Sequence, residues 1–301
     1  MKIKKRMEKA KYMAHEVRRM GNGESVGNAD VSVRFLLLET LVKPSLLANV
    51  ETWSNISKKE EKMITKTHYE VLRIVFEQKR NTPYLGIIAE TGIWPYKHVI
   101  VYKKLMYLHH LIHSDNQRIT RKLLINQSIQ TNKKNWYNEL KTKANKMKIE
   151  IEVNKIENET KSEWKKKIKE KIEVYINKEI QEAANLQTKL RFIRGKQFKK
   201  EEYLEVGNTI QCSKVMQIRL NMIDAKRNYR NRYKEDLKCI GCNMVEETTE
   251  HLVKCDKYKE LASHSIILDE GGNNMKQTEW LLEATHVFDR IGKVRERLKK
   301  Y

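Results

Sequence analysis

The sequence predicts a mainly α protein, and three observations carry that expectation. The 301 residues include only three prolines, Pro44, Pro83 and Pro95, so no proline interrupts a helix beyond residue 95. The downstream sequence is rich in Lys, Glu, Ile, Leu and Asn and sparing in glycine, a mixture that favours helix. Apolar residues also recur at helical spacing, most clearly at Trp164, Ile168, Ile172, Tyr175, Ile176 and Ile180.

Taken in order, residues 1–20 place Lys, Arg, Met and Ala at helical spacing and lead into a Gly/Asn/Ser loop at 20–30. From Val31 to about Val50 the pattern is that of a buried helix, interrupted or kinked at Pro44. Ser57 reads as an N-cap, and Glu60 completes a capping box. The helix behind it presents Met63, Ile64, Tyr69, Val71, Leu72 and Val75. Residues 81–96 read as two short elements ended by Gly and Pro. An apolar helix from Val99 to His113 follows, with Ile100, Leu105, Leu108 and Ile112 one turn apart. His109 and His113 stand at i and i+4 on it, but no third ligand is near, so they read as packing or capping residues. Two further helices, around Trp136, Leu140, Ala144, Met147 and Ile151 and around Trp164, carry mixed charge on their outer faces. Lys165, Lys166 and Lys167 read as a solvated face. Beyond Gly271 and Gly272, a final amphipathic helix carries Trp280, Val287, Ile291, Val294 and Leu298 and ends in the basic cluster Arg295, Arg297, Lys299 and Lys300. The segments are therefore 1–30, 31–116, 117–213, 214–258 and 259–301.

Lys plus Arg number 61 and Asp plus Glu 39, a net charge of +22. Such an excess points to a polyanionic partner, nucleic acid before a membrane surface. No apolar stretch approaches a bilayer span, and the N-terminus lacks the apolar core of a signal peptide. Nor is there a Gly-rich phosphate loop, G-x-S-x-G or H-E-x-x-H, and no small-molecule substrate is implied. The seven aspartates are scattered, with no Asp-Asp dipeptide, so the paired carboxylates that hold two Mg2+ ions in a polymerase are missing from this chain. The expectation is a non-enzyme.

The most specific signal is C-x2-C-x8-H-x3-C at Cys239, Cys242, His251 and Cys255. A Cys-x-x-Cys turn presents two thiolates to one point. A short helix starting at His251 places Cys255 one turn later on the same face. Three thiolates and an imidazole make a closed tetrahedral Zn2+ site with no position for a substrate water, so one structural zinc is expected. Cys212 is left over. Thiols used for metal, without a secretory signal, point to a reducing intracellular compartment, nuclear or cytoplasmic.

Residues 214–238 read as a basic helix running into that site, with Lys214, Arg219, Lys226, Arg227, Arg230, Arg232, Lys234 and Lys238 against only Asp224, Glu235 and Asp236. The arginines and lysines are candidates for phosphate contact. Tyr229 and Tyr233 are placed either to stack on unpaired bases or to join the apolar stripe of Val215, Ile218, Met222 and Ala225.

Several stretches together resemble the C-terminal region of non-LTR (LINE-type) retrotransposon reverse transcriptases. R-F-L-L-L-E-T-L-V-K-P-S-L-L-A-N-V-E-T-W (34–53) is similar to the start of the family's thumb, with Ala48-Asn49 where members often show Tyr-Gly. Residues 82–95 and 104–112 are similar to its next thumb elements. Residues 217–242 resemble the basic helix placed before a CCHC knuckle, and E-H-L-V-K-C has the His-to-Cys gap of some members. The resemblance implies a thumb-like helical bundle, long helices and a small C-terminal zinc knuckle. It also implies binding of RNA or DNA, by a piece of a larger protein whose palm and endonuclease lie elsewhere. The alternative from a different class is a helical protein-interaction adaptor with a structural zinc site.

Overall fold

A computed structural model gives the structure of residues 2–20, 30–130, 134–229, 236–258 and 276–298. The loop read at 21–29 and the break at Gly271-Gly272 lie outside these residues. The structure is 71% helical. Among the described residues the only extended pairings are the isolated bridges Asp30–Asn208 and Lys238–Glu246. The fold is mainly α, as the sequence predicts.

In chain order the α-helices begin with α1 (Lys2–Met20), α2 (Val31–Leu37), α3 (Lys43–Leu47), α4 (Lys58–Val75), α5 (Tyr84–Thr91) and α6 (Tyr96–Ile112). Next come α7 (Ile119–Ile129), α8 (Trp136–Lys146), α9 (Val153–Glu157) and α10 (Lys161–Leu186). The last are α11 (Tyr203–Val206), α12 (Thr209–Arg219), α13 (Thr249–Lys254) and α14 (Lys276–Leu298). The expected interruption near Pro44 is a π-helical turn at Leu38–Val42, and Pro44 sits in the first turn of α3. A wider turn just before the proline accommodates its missing N–H and the crowding of its ring against the preceding carbonyls. The capping box is present. The Glu60 N–H donates to Ser57 Oγ at 3.2 Å, and the Ser57 N–H to Glu60 Oε2 at 2.9 Å. Of the two short elements read at 81–96, the structure forms one, the helix α5. Gly86 lies inside it, and Gly92 ends it at φ +65°, where an added Cβ would lie 2.6 Å from the Lys200 nitrogen.

The chain folds as two compact units, each assembled from non-consecutive stretches. The first comprises Met1–Ala14, Leu38–Val71 and Ile93–Ile180. Its core contains the predicted stripe: Trp164, Ile168, Ile172, Ile176 and Ile180 are buried. The Trp164 indole N–H donates to the Leu105 carbonyl at 3.1 Å. Residues 117–180 therefore supply core. Lys165–Lys167 are exposed, as a solvated face requires. His109 Nε2 donates to the Glu159 carbonyl at 3.0 Å and His113 Nδ1 to the His109 carbonyl at 2.9 Å, the packing and capping roles expected of them.

His68 is buried in the same unit, stacked on Tyr96 with ring centroids 3.6 Å apart. Burial, reinforced by Lys43, holds its pKa well below 6.5. The folded state therefore binds fewer protons at this ring than the unfolded chain does. The resulting stability is present above about pH 6.5 and is lost progressively as pH falls below it. Denaturant titrations at about pH 7.5 and 5.5 should show a smaller loss on acidification in His68→Gln than in the parent. Equal losses would exclude this ring as the source.

The second unit comprises His15–Leu37, Leu72–Gly92 and Gln181–Tyr301. Gln78 Nε2 donates to the Phe76 carbonyl at 2.8 Å and to the Ser213 carbonyl at 3.2 Å. Arg34, fully buried, pairs with Glu77 at 2.8 Å. Around the cysteine motif, Ile218, Ile223, Ala225, Cys239, Leu252, Cys255, Tyr258, Val287 and Ile291 form one buried apolar cluster.

Candidate metal centre

The ligand atoms of Cys239, Cys242, His251 and Cys255 all lie within 4.8 Å of one another and could hold one metal ion. The two cysteine sulfurs Cys239 Sγ and Cys255 Sγ are 3.9 Å apart, and Cys242 Sγ is 3.3 Å from His251 Nε2. Cys212 is elsewhere, its thiol donating to the Tyr203 carbonyl at 3.1 Å, and burial pushes its pKa up to about 12.

Two local structures build the quartet. The first is a tight turn closed by the Lys238–Glu246 bridge. The Cys239 N–H donates to the Val245 carbonyl, the Glu247 N–H to the Leu237 carbonyl and the Asn243 N–H to the Cys239 carbonyl, each at 2.8 Å. Asn243 takes φ +55°, a left-handed conformation that asparagine tolerates better than most residues. The Gly241 N–H points at Cys239 Sγ at 3.3 Å, and a Cβ at Gly241 would meet the Tyr258 ring at 2.8 Å. The second structure is α13. Thr248 caps it, accepting from the His251 N–H at 3.1 Å, so the helix begins two residues before the expected start at His251. His251 stays on its inner side, and Cys255 forms the C-cap, its N–H donating to the His251 carbonyl at 2.8 Å.

Electrostatics differ across the quartet. The backbone N–H groups of Met244 and Val245 bring the Cys242 pKa down to about 6, because they stabilise a thiolate. Burial pushes Cys255 up to about 12. A cation at the centre would offset that penalty, since a metal stabilises the deprotonated sulfur directly.

The residues between 214 and 238 depart from the expectation of a continuous basic helix. Helix α12 stops at Arg219, and Asn221 takes φ +56°. The Met222 N–H then bonds the Gln217 carbonyl at 2.7 Å and the Asn221 N–H the Ile218 carbonyl at 3.0 Å, a Schellman ending with asparagine in the left-handed position. A 3₁₀ turn follows at Lys226–Tyr229. Arg230, Arg232, Tyr233 and Lys234 lie outside the described residues, as does the side chain of Tyr229.

Arg219 is not a surface phosphate ligand in this arrangement. Its Nε lies 2.7 Å and 2.9 Å from the two oxygens of buried Glu90, and Nη2 is 3.1 Å from Glu201. Burial alone would lower its pKa, but the two carboxylates outweigh that and hold it above its usual range. Lys226 is also buried, its ammonium 2.7 Å from Asp236. Lys214 pairs with Asp289. Arg227 pairs with Glu246, but both side chains are well exposed, so solvent weakens that pair and a phosphate could compete for the guanidinium. The predicted metal ligands thus come together, whereas among the described residues Arg219 and Lys226 are largely buried and ion-paired and Arg227 is exposed.

Sequence reasoning also missed Glu247 and Arg295. Glu247 is fully buried. Its Oε1 accepts from the Lys226 N–H at 3.0 Å, and its Oε2 from the Ile240 N–H, inside the Cys-x-x-Cys turn, at 3.0 Å. Arg295 Nη2 reaches Glu247 Oε1 at 2.5 Å. The sequence places Arg295 in the basic cluster that ends the last helix. In the structure it is buried, and its Nη1 also donates to the Asp224 carbonyl. No local pattern in E-E-T-T-E-H marks Glu247, but the asparagine of N-M-I-D was a legible stop signal for α12.

Compared with known proteins, the chain matches no protein-family model, no curated protein and no solved structure.

Proposed function

We propose that this chain is a nucleic-acid-binding region of a non-LTR retrotransposon reverse transcriptase, organised at its C-terminal end around one structural Zn2+. The observation that carries the reading is the Cys3His quartet set directly behind a basic segment in a chain of net charge +22. Zn–S bonds of about 2.3 Å in a tetrahedron separate two sulfurs by about 3.8 Å, and Cys239 and Cys255 stand 3.9 Å apart. Zn2+ bound by all four side chains would have no open coordination position, so its contribution is to folding. The departure Ala48-Asn49 from the family's Tyr-Gly is compatible with the resemblance. Asn49 takes φ +56°, which glycine adopts freely and asparagine more readily than most residues.

Within this reading Arg227, Arg230, Arg232 and Lys234 contact phosphates, and Tyr229 and Tyr233 are available for stacking. Arg219 and Lys226 serve the fold through their ion pairs with Glu90 and Asp236. The place of action is nuclear or cytoplasmic, and polymerisation is left to carboxylates this chain does not carry.

Binding to RNA and to a primer–template duplex, measured across a salt series, tests the proposal. Affinity should fall with salt at a slope of roughly 0.7–0.9 per neutralised phosphate. Changing Arg230, Arg232 and Lys234 together to Ala should lower the slope by about 2–3 and weaken binding alike for all sequences. Unchanged affinity would favour the second reading, a helical protein-interaction adaptor. That reading draws on α7, where Ile119 and Ile129 are 75% and 74% exposed.

A further inference from the structure

The buried Glu247–Arg295 pair joins two structures that are far apart in sequence. Glu247 directly precedes the capping residue of α13, and one carboxylate oxygen holds the Ile240 N–H between the two ligands Cys239 and Cys242. The other oxygen holds the Lys226 N–H and the Arg295 guanidinium on α14. Val287 and Ile291 of α14 lie in the same apolar cluster as Cys239 and Cys255. Both polar and apolar contacts therefore run from the metal ligands to one face of α14.

We propose that metal occupancy of the quartet and docking of α14 are a single coupled equilibrium, transmitted by Glu247 and anchored by Arg295. This rests on the metal reading above and goes beyond it by assigning positioning residues outside the ligand set. The physical reason is geometric. A metal ion fixes the 239–242 turn, and so fixes the direction of the Ile240 N–H and the place of the Glu247 carboxylate that Arg295 must meet. Without the ion, three thiol groups and an imidazole have no common centre, and the turn can relax. A buried carboxylate and guanidinium that no longer meet are each uncompensated. Coupling of this kind is reciprocal, so whatever α14 loses on metal removal the metal must lose on disruption of α14 docking.

Two measurements on the full chain test the coupling. Hydrogen exchange of the parent is compared with zinc bound and after chelation. Amides of 285–298 should lose at least about tenfold in protection together with those of 239–255. Loss confined to 239–255 would overturn the proposal. Zinc affinity is then measured by competition with a chromogenic chelator. Arg295→Ala should bind zinc about 10–100-fold more weakly, the size expected when a group orienting a metal ligand is removed, with Arg295→Lys in between. Lys214→Ala removes a different ion pair to α14, at Asp289, and should change zinc affinity less than about twofold. Parent protein that binds one zinc, with Arg295→Ala folded and unchanged in affinity, would overturn the coupling while leaving the metal centre standing. Parent protein that binds no zinc would overturn both. If Arg295→Ala does not fold, the exchange measurement on the parent decides alone.

Discussion

Cys255→Ser is expected to abolish stoichiometric metal and to unfold residues 236–258 while the Trp164 helix stays intact. Serine fits the space, but its hydroxyl is not deprotonated near neutral pH and is a poor replacement for a thiolate. Apparent binding of a structural zinc is worth about 10–16 kcal/mol in small zinc-dependent peptides, and it is folding free energy because the unfolded chain has no preformed site. The segment 236–258 has few other supports: one β-bridge, a six-residue helix, a few buried apolar side chains and the buried Glu247 carboxylate, whose place depends on the ligand turn through the Ile240 N–H. Losing a ligand therefore removes most of what organises it. Elemental analysis of the purified variant and limited proteolysis across 236–258 check this. A variant that keeps one metal per chain and resists cleavage there would exclude Cys255 as a ligand.

Arg219→Met is expected to destabilise the second unit by about 3–5 kcal/mol, because it leaves a buried carboxylate uncompensated. Glu90 is 1% exposed, accepts from the Tyr203 hydroxyl at 2.8 Å, and faces the guanidinium with both oxygens. Methionine retains much of the arginine stem's packing but none of its charge. Adding Glu90→Gln should recover part of the loss, since the neutral amide tolerates burial better, and the two changes should fall well short of additive. Urea unfolding of the four proteins of this cycle gives the coupling. The same data bear on function. A phosphate-binding role for Arg219 predicts weaker nucleic-acid binding with stability unchanged, the opposite outcome.

The metal quartet was legible because its geometry is local. Cys-x-x-Cys closes within one turn, and His251 and Cys255 are one helical turn apart, so the ligand set follows from spacing and from what thiolates and imidazoles bind. The Trp164 stripe and the Ser57–Glu60 capping box were legible for the same reason: periodicity and caps are properties of a few adjacent residues. Charge along 214–238 does not reveal which of its basic side chains are internal. Arg219 answers to Glu90, 129 positions earlier, and Arg295 to Glu247, 48 positions earlier. Composition cannot distinguish an arginine that meets a buried carboxylate from one that faces water.

Short-range spacing was enough to set the helical class, the long apolar stripe of α10, the helix start at Ser57 and the four candidate metal ligands. How the chain divides depends on contacts between stretches far apart in sequence. Two units each gather three separated stretches, an arrangement that a division into consecutive segments cannot express. The tertiary structure also decides which basic side chains are internal. Burial makes an unpaired charge costly, so the fold brings Arg34, Arg219 and Arg295 to Glu77, Glu90 and Glu247, partners that can be identified only once the chain has closed on itself.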